Sequence, residues 1–156
     1  MIKIESEQYN EALVYLDEAE KAISYIDTKG RRVDRALKLC VMQNQVCSYQ
    51  RLWEVKRAYT YMDAIILSME KELETSPLVE IQETYFSDNL NEKDSLKLSV
   101  ARLTQMAIYY LQFSAIASQL KYNSVALATV RKALRALKSV SEKCIKLEMH
   151  SSKPVY

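Results

Sequence analysis

Residues that break a helix are almost missing from this chain. It has one glycine, Gly30, and two prolines, Pro77 and Pro154, in 156 residues, where ordinary usage is about 7% and 5%. One glycine cannot build a phosphate-cradling loop, and the shortage favours long uninterrupted helices. Histidine is as scarce: His150 is the only one. Neither a Ser/His/Asp nor a Cys/His arrangement then has a credible base, and no enzyme is expected. Cys40, Cys47 and Cys144 with a single histidine make no zinc-ligand spacing, so neither a metal nor a cofactor is expected. Cys40 and Cys47 are separated by about 10 Å along one helix at 1.5 Å per residue, too far for a disulfide. All three cysteines read as buried free thiols of an intracellular protein. Long apolar runs are also lacking. The longest, Met106 to Ala117, is interrupted by Gln112 and Ser114 and is too short to span a bilayer, so no membrane partner is expected. The opening Met1-Ile-Lys-Ile-Glu-Ser has no apolar core or cleavage site of a signal peptide, which points to the cytoplasm.

What the chain does have is helix-forming sequence with charge unevenly spread. Apolar residues make up 49% and charged residues 27%, with a net charge of +2, as in a globular protein of one domain over 1–156. Between 121 and 153 there are eight bases against Glu142 and Glu148, whereas six acids between 74 and 94 face only Lys93. The acidic stretch, 75–94, contains Pro77 and Ser87-Asp88-Asn89 yet also Leu78, Ile81, Tyr85 and Phe86. It reads as an insertion or docked loop between helices, too apolar for a simple disordered linker. Arg131, Arg135 and Lys138 fall on one face of the last helix, opposite Leu127, Val130, Leu134 and Leu137. That basic stripe could meet nucleic acid, acidic protein tails, or the acidic stretch of the same chain. Nucleic acid is the weaker choice, because no base-reading motif is present and the isoelectric point, about 8.3, is only mildly basic. Eleven tyrosines suit helix packing with the hydroxyl at the surface better than a stacking platform. Glu18, Glu20, Glu70, Glu72 and Glu74 read as solvated helix faces.

Apolar periodicity predicts five main helices, over 6–27, 33–51, 54–74, 95–120 and 125–148. Ser6 is a plausible cap for the first, and Gly30 follows its last turn. The first helix places Tyr9, Leu13, Leu16, Ala19 and Ile23 on one face. The second carries Leu37, Cys40, Asn44, Cys47 and Arg51 on one stripe, with Leu39, Met42, Val46 and Tyr49 on another. Breaks fall at Leu52-Trp53 and at Lys121 to Ser124, and 150–156 reads as a tail.

One pattern recurs: Ala12-x3-Leu16-x2-Ala19, Ala58-x3-Met62-x2-Ile65 and Ala126-x3-Val130-x2-Ala133. Offsets of four and three stack these residues on one helix face, where small side chains let a second helix come close. Ala126 and Ala133 are expected where the last two helices approach most closely. Ahead of the third occurrence stand Tyr110, Phe113, Ser114 and Ala117, and ahead of the second Met42, Gln45, Val46 and Tyr49. The arrangement resembles the tetratricopeptide (TPR) repeat, in which two antiparallel helices carry such positions and stack into a solenoid. Ser114 and Val46 stand where that family has glycine, and Ala12, Ala58 and Ala126 lie farther apart than its repeat of about 34 residues.

The resemblance implies an all-α fold of irregular TPR-like antiparallel hairpins stacked as an α-solenoid. It also implies a protein–protein interaction scaffold or a structural subunit of a larger assembly, cytoskeletal or ciliary among the settings. A partner's peptide or helix would lie along the first helices of the hairpins. That surface would carry Gln43, Asn44, Cys47 and Arg51 from one helix, and Ile108, Leu111, Gln112, Ala115 and Gln119 from another. Only Asn44 and Arg51 resemble the charged clamp by which this family grips acidic chaperone tails, so a neutral segment suits it better. The first helix has a second-helix pattern without a preceding first helix, and it carries apolar residues on more than one side. The chain is therefore expected to be a fragment of a longer repeat protein or to dock this helix on another subunit.

Overall fold

A computed structural model describes residues 2–30, 35–75 and 92–151. These form five helices with no strand among the described residues: α1 (Ile2–Thr28), α2 (Arg35–Arg51), α3 (Val55–Thr75), α4 (Glu92–Gln119) and α5 (Asn123–Ser151). The fold is all-α, which the shortage of glycine and proline favours. The acidic insertion expected at 75–94 falls for the most part, over 76–91, outside the described residues. Helices run farther than the periodicity suggested. Nothing in the sequence stops α1 before Ser6, so Ser6 lies inside it rather than capping it, and α5 continues through the first residues assigned to the tail.

The chain divides into two compact units, Met1–Ile65 with Ile116–Lys121 and Ile66–Ala115 with Tyr122–Tyr156. The division falls within α3 and within α4. In the first unit α1 packs against α2, with Leu13 and Ile23 buried on α1 and Val41, Gln45, Val46, Ser48 and Tyr49 on α2. Ala58, Met62 and Ile65 of α3 are all fully buried. In the second unit Ile66 and Met69 of α3, Met106, Tyr110 and Phe113 of α4, and Ala133 of α5 are buried. Ala133 is 0% exposed, whereas Ala126 is only half-buried. Replacing Ala133 with Leu should therefore cost about 1–3 kcal/mol by overpacking, and Ala126→Leu clearly less. Paired denaturant titrations followed by circular dichroism check the difference.

Hydrogen bonds fix where the helices stop. Gly30, at φ 69°, donates to Asp27 O at 3.0 Å, the left-handed end that glycine allows. The α2 terminus has the same geometry without a glycine. Trp53, at φ 60°, donates to Gln50 O at 3.2 Å, and Glu54 N–H donates to Tyr49 O at 2.9 Å. These are the two bonds of a Schellman motif. Lys121, at φ 61°, closes α4 by donating to Ser118 O. The turn there is shorter than Lys121 to Ser124, because Ala126 N–H already bonds Tyr122 O. Trp53 is 82% exposed, so little packing offsets its left-handed backbone. Trp53→Gly is expected to raise stability by about 1 kcal/mol, read as a higher denaturation midpoint.

Candidate functional site

In the first unit one glutamine ties α2 to α1. Gln45 sits on the inward stripe of α2 with Val41 and Tyr49 and is 0% exposed. Its Nε2 donates to Asp17 Oδ1 at 3.2 Å and to Glu20 Oε2 at 2.9 Å. Those acids are three residues apart on α1, so one helix face presents both. Glu20 Oε2 also accepts from the Tyr61 hydroxyl of α3 at 3.2 Å. The Tyr61 ring lies 5.5 Å from that of Tyr49 at a 32° tilt, and the Arg57 guanidinium stands 5.6 Å over Tyr49 while pairing with Glu54 at 3.0 Å. Asp17, Glu20, Lys21, Ser24, Tyr49 and Tyr61 line an open cleft of about 430 Å³.

Burial, then the charge of Glu20, pushes the Tyr61 hydroxyl up to about 12; burial and Asp17 raise Tyr49 as well. Both phenols stay protonated at neutral pH, so neither serves as a base. The carboxylates and aromatic faces hold three helices in register and favour positive charge at the rim. Because the folded-state value of Tyr61 lies above its ordinary 10.0, the stability linked to it is complete below pH 10. It is lost as pH rises from 10 to about 12. Tyr61→Phe should make alkaline unfolding less steep over that interval, measured by helicity against pH.

The second unit has a counterpart. Glu70 Oε1 of α3 accepts from the Tyr110 hydroxyl of α4 at 2.7 Å and from Lys132 Nζ of α5 at 2.7 Å, and the ammonium stands 5.6 Å over the Tyr110 ring. Burial pushes the Glu70 carboxyl upward, but the hydrogen bonds from Lys132 and Tyr110 outweigh it and hold the carboxyl below its usual range. Burial and the Glu70 bond raise the Tyr110 hydroxyl well above its ordinary value. Glu72 adds an ion pair with Arg102 at 3.0 Å. Glu20, Glu70 and Glu72, expected as solvated acids, thus take partners on other helices.

The residues expected to meet a partner are divided between the two units. Asn44, Cys47 and Arg51 share an exposed stripe of α2, and Gln43 beside them is half-buried. Asn44 Nδ2 donates to Cys40 O at 2.9 Å, so one of its donors is used within the helix. Ile108, Leu111, Ala115 and Gln119 share an exposed stripe of α4, with Gln112 half-buried. Ile108, Leu111, Gln112 and Ala115 belong to the second unit, the others to the first. Arg131, Arg135 and Lys138 are exposed on α5.

Two expectations fail. Cys40 and Cys47 are exposed and Cys144 is half-buried, because the inward face of α2 is the stripe of Val41, Gln45, Ser48 and Tyr49. Leu127, Leu134 and Leu137, expected on the face opposite Arg131, Arg135 and Lys138, are exposed as those bases are, because steps of three and four residues place Leu127, Arg131, Leu134 and Lys138 on one side of α5. Thr129 and Ala133 point inward. Among the described residues no cluster of three or more His, Cys, Asp or Glu could hold a metal ion, and no helix is long and apolar enough to cross a membrane. Comparison with protein families, curated proteins and solved structures gives no match.

Proposed function

We propose that this chain is a TPR-like protein–protein interaction scaffold, a structural subunit that takes a partner's helix or extended segment along the outer face of α4. The observation that carries the reading is the two-sidedness of α4. Its inner side buries Met106, Ala107, Tyr110, Phe113 and Ala117, while Ile108 and Leu111 stand 55% and 45% exposed on the outer side. Amphipathic partners dock on such i, i+3, i+7 rows. The TPR-like reading is supported by burial of Tyr110, Phe113, Ser114 and Ala117, and of Gln45, Val46, Tyr49, Ala58, Met62 and Ile65, the positions such hairpins pack. A cytoplasmic assembly is the setting it fits.

Crosslinking in a native extract, followed by identification of the joined peptides, tests this. Crosslinks should concentrate on α4, and Ile108→Asp with Leu111→Asp should abolish capture of the partner while helicity and melting stay unchanged. Capture that survives both substitutions overturns the reading. Salt-sensitive binding of RNA or DNA, lost in Arg131→Glu with Arg135→Glu and Lys138→Glu, would establish instead the second reading, a nucleic-acid binder using α5.

A further inference from the structure

Two exposed helix faces in this chain match each other. On α1, Glu11, Tyr15, Glu18, Ala22 and Tyr25 are all exposed and follow one another at steps of four, three, four and three residues. On α5, Leu127, Arg131, Leu134, Lys138, Ser141 and Ile145 are all exposed and follow the same alternation. Such steps average about 3.5 residues, the repeat that keeps two helices in contact along their length. The α1 stripe carries carboxylates and the α5 stripe bases. Glu11 and Glu18 stand as far apart as Arg131 and Lys138, about 10 Å in each helix, so both pairs can close at once whether the helices run parallel or antiparallel. Between the charges, Leu127, Leu134 and Ile145 supply bulk on one side, and Ala22 with the rings of Tyr15 and Tyr25 receives it on the other. Among the described residues no carboxylate is within ion-pair distance of Arg131, Arg135 or Lys138.

The geometry points to a contact between copies of this chain in which α1 of one copy docks on α5 of the next. Each copy offers α1 to one neighbouring α5 and α5 to one neighbouring α1, so the two faces in contact differ. Charges within both stripes keep the single chain soluble and make the association salt-dependent. The contact uses α1 and α5 and not the outer face of α4, so this inference and the partner reading fail separately.

Sedimentation of the full chain tests it. The average mass should rise with protein concentration, and fall back towards one chain as salt goes from about 0.1 M to about 1 M, where the screening length shrinks from about 10 Å to about 3 Å. Tyr15→Asp with Tyr25→Asp removes the α1 face; Leu127→Asp with Leu134→Asp removes the α5 face. Each doubly substituted chain alone should stay single. Mixed in equal amounts they should form a two-chain complex and nothing larger, because one intact pair of faces remains. A wild-type chain that stays single up to about 1 mM, the range of weak contacts, overturns the proposal. So does a mixture that forms no complex, and so does self-association of either substituted chain alone, which would mean α1 on α1 or α5 on α5. Should an aspartate variant lose its helicity, charge reversal replaces it. Glu11→Lys with Glu18→Lys, and Arg131→Glu with Lys138→Glu, should each abolish association, and all four in one chain should restore it; failure to restore overturns the proposal.

Discussion

Replacing Met62 with alanine lowers the stability of the fold by about 2–5 kcal/mol, the range for emptying a buried long side chain. Met62 is 0% exposed on α3 and stands in one row with Ala58 and Ile65, which are equally buried. The lost transfer energy and the residual cavity add, because rigid helix backbones close the gap only in part. Leu67, on the same helix but mostly exposed, provides the contrast: Leu67→Ala should stay within about 0.5 kcal/mol. Urea titration separates the two, with the midpoint moving and the slope unchanged in the first case.

A carboxylate at position 45 should be more damaging still at neutral pH, and its effect should reverse with acid. Gln45→Glu swaps the amide that donates to Asp17 and Glu20 for a third acceptor in a fully buried position. Uncompensated charge in such a place costs about 3–5 kcal/mol. Desolvation and two neighbouring carboxylates both favour the protonated form, so the folded-state pKa of the introduced group lies above its unfolded value of about 4.3. With the folded value raised, the variant keeps near wild-type stability below that pH and loses it as pH climbs through the folded-state pKa. Stability curves for the two chains at a series of pH values should converge in acid and diverge towards neutrality. Curves that stay parallel would show that Asp17 and Glu20 do not act on position 45. Gln45→Leu, which introduces no charge, should show a smaller loss with little added pH dependence.

Among the described residues, helix number and approximate limits could be read from the sequence, because so few residues in it can interrupt a helix and Gly30 marks the end of α1. Trp53 could not be foreseen as the left-handed residue ending α2. A bulky side chain at that position is unfavourable by itself, and only the pair of backbone bonds to Gln50 and Tyr49 holds it there. The polar core contacts were missed for a different reason. Periodicity counts apolar residues, so Glu20 and Glu70 read as surface although each bonds to another helix. A signal was available for Gln45. It lies on the spacing of Val41 and Tyr49, and a polar side chain on an apolar row must find partners when buried. Cysteine is among the residues most often buried, which is why Cys40 and Cys47 read as inward although both are exposed on α2. Thr129 and Ala133 face inward on α5, which turns Leu127 and Leu134 to the outside. Helical spacing does place Asn44 and Arg51 on one stripe of α2, and both are exposed.

The exposed tryptophan between α2 and α3 also determines how this protein can be observed. Trp53 is the chain's single tryptophan, and with 82% of it in contact with solvent its fluorescence in the folded state already resembles that of an unfolded chain. Denaturation will scarcely shift its emission, and unfolding has to be followed by circular dichroism. A molecule that settles over the α2–α3 turn would remove water from the indole and move the emission to shorter wavelength without any dye. The same residue that hides folding from a fluorimeter therefore reports occupancy at that end of the first unit.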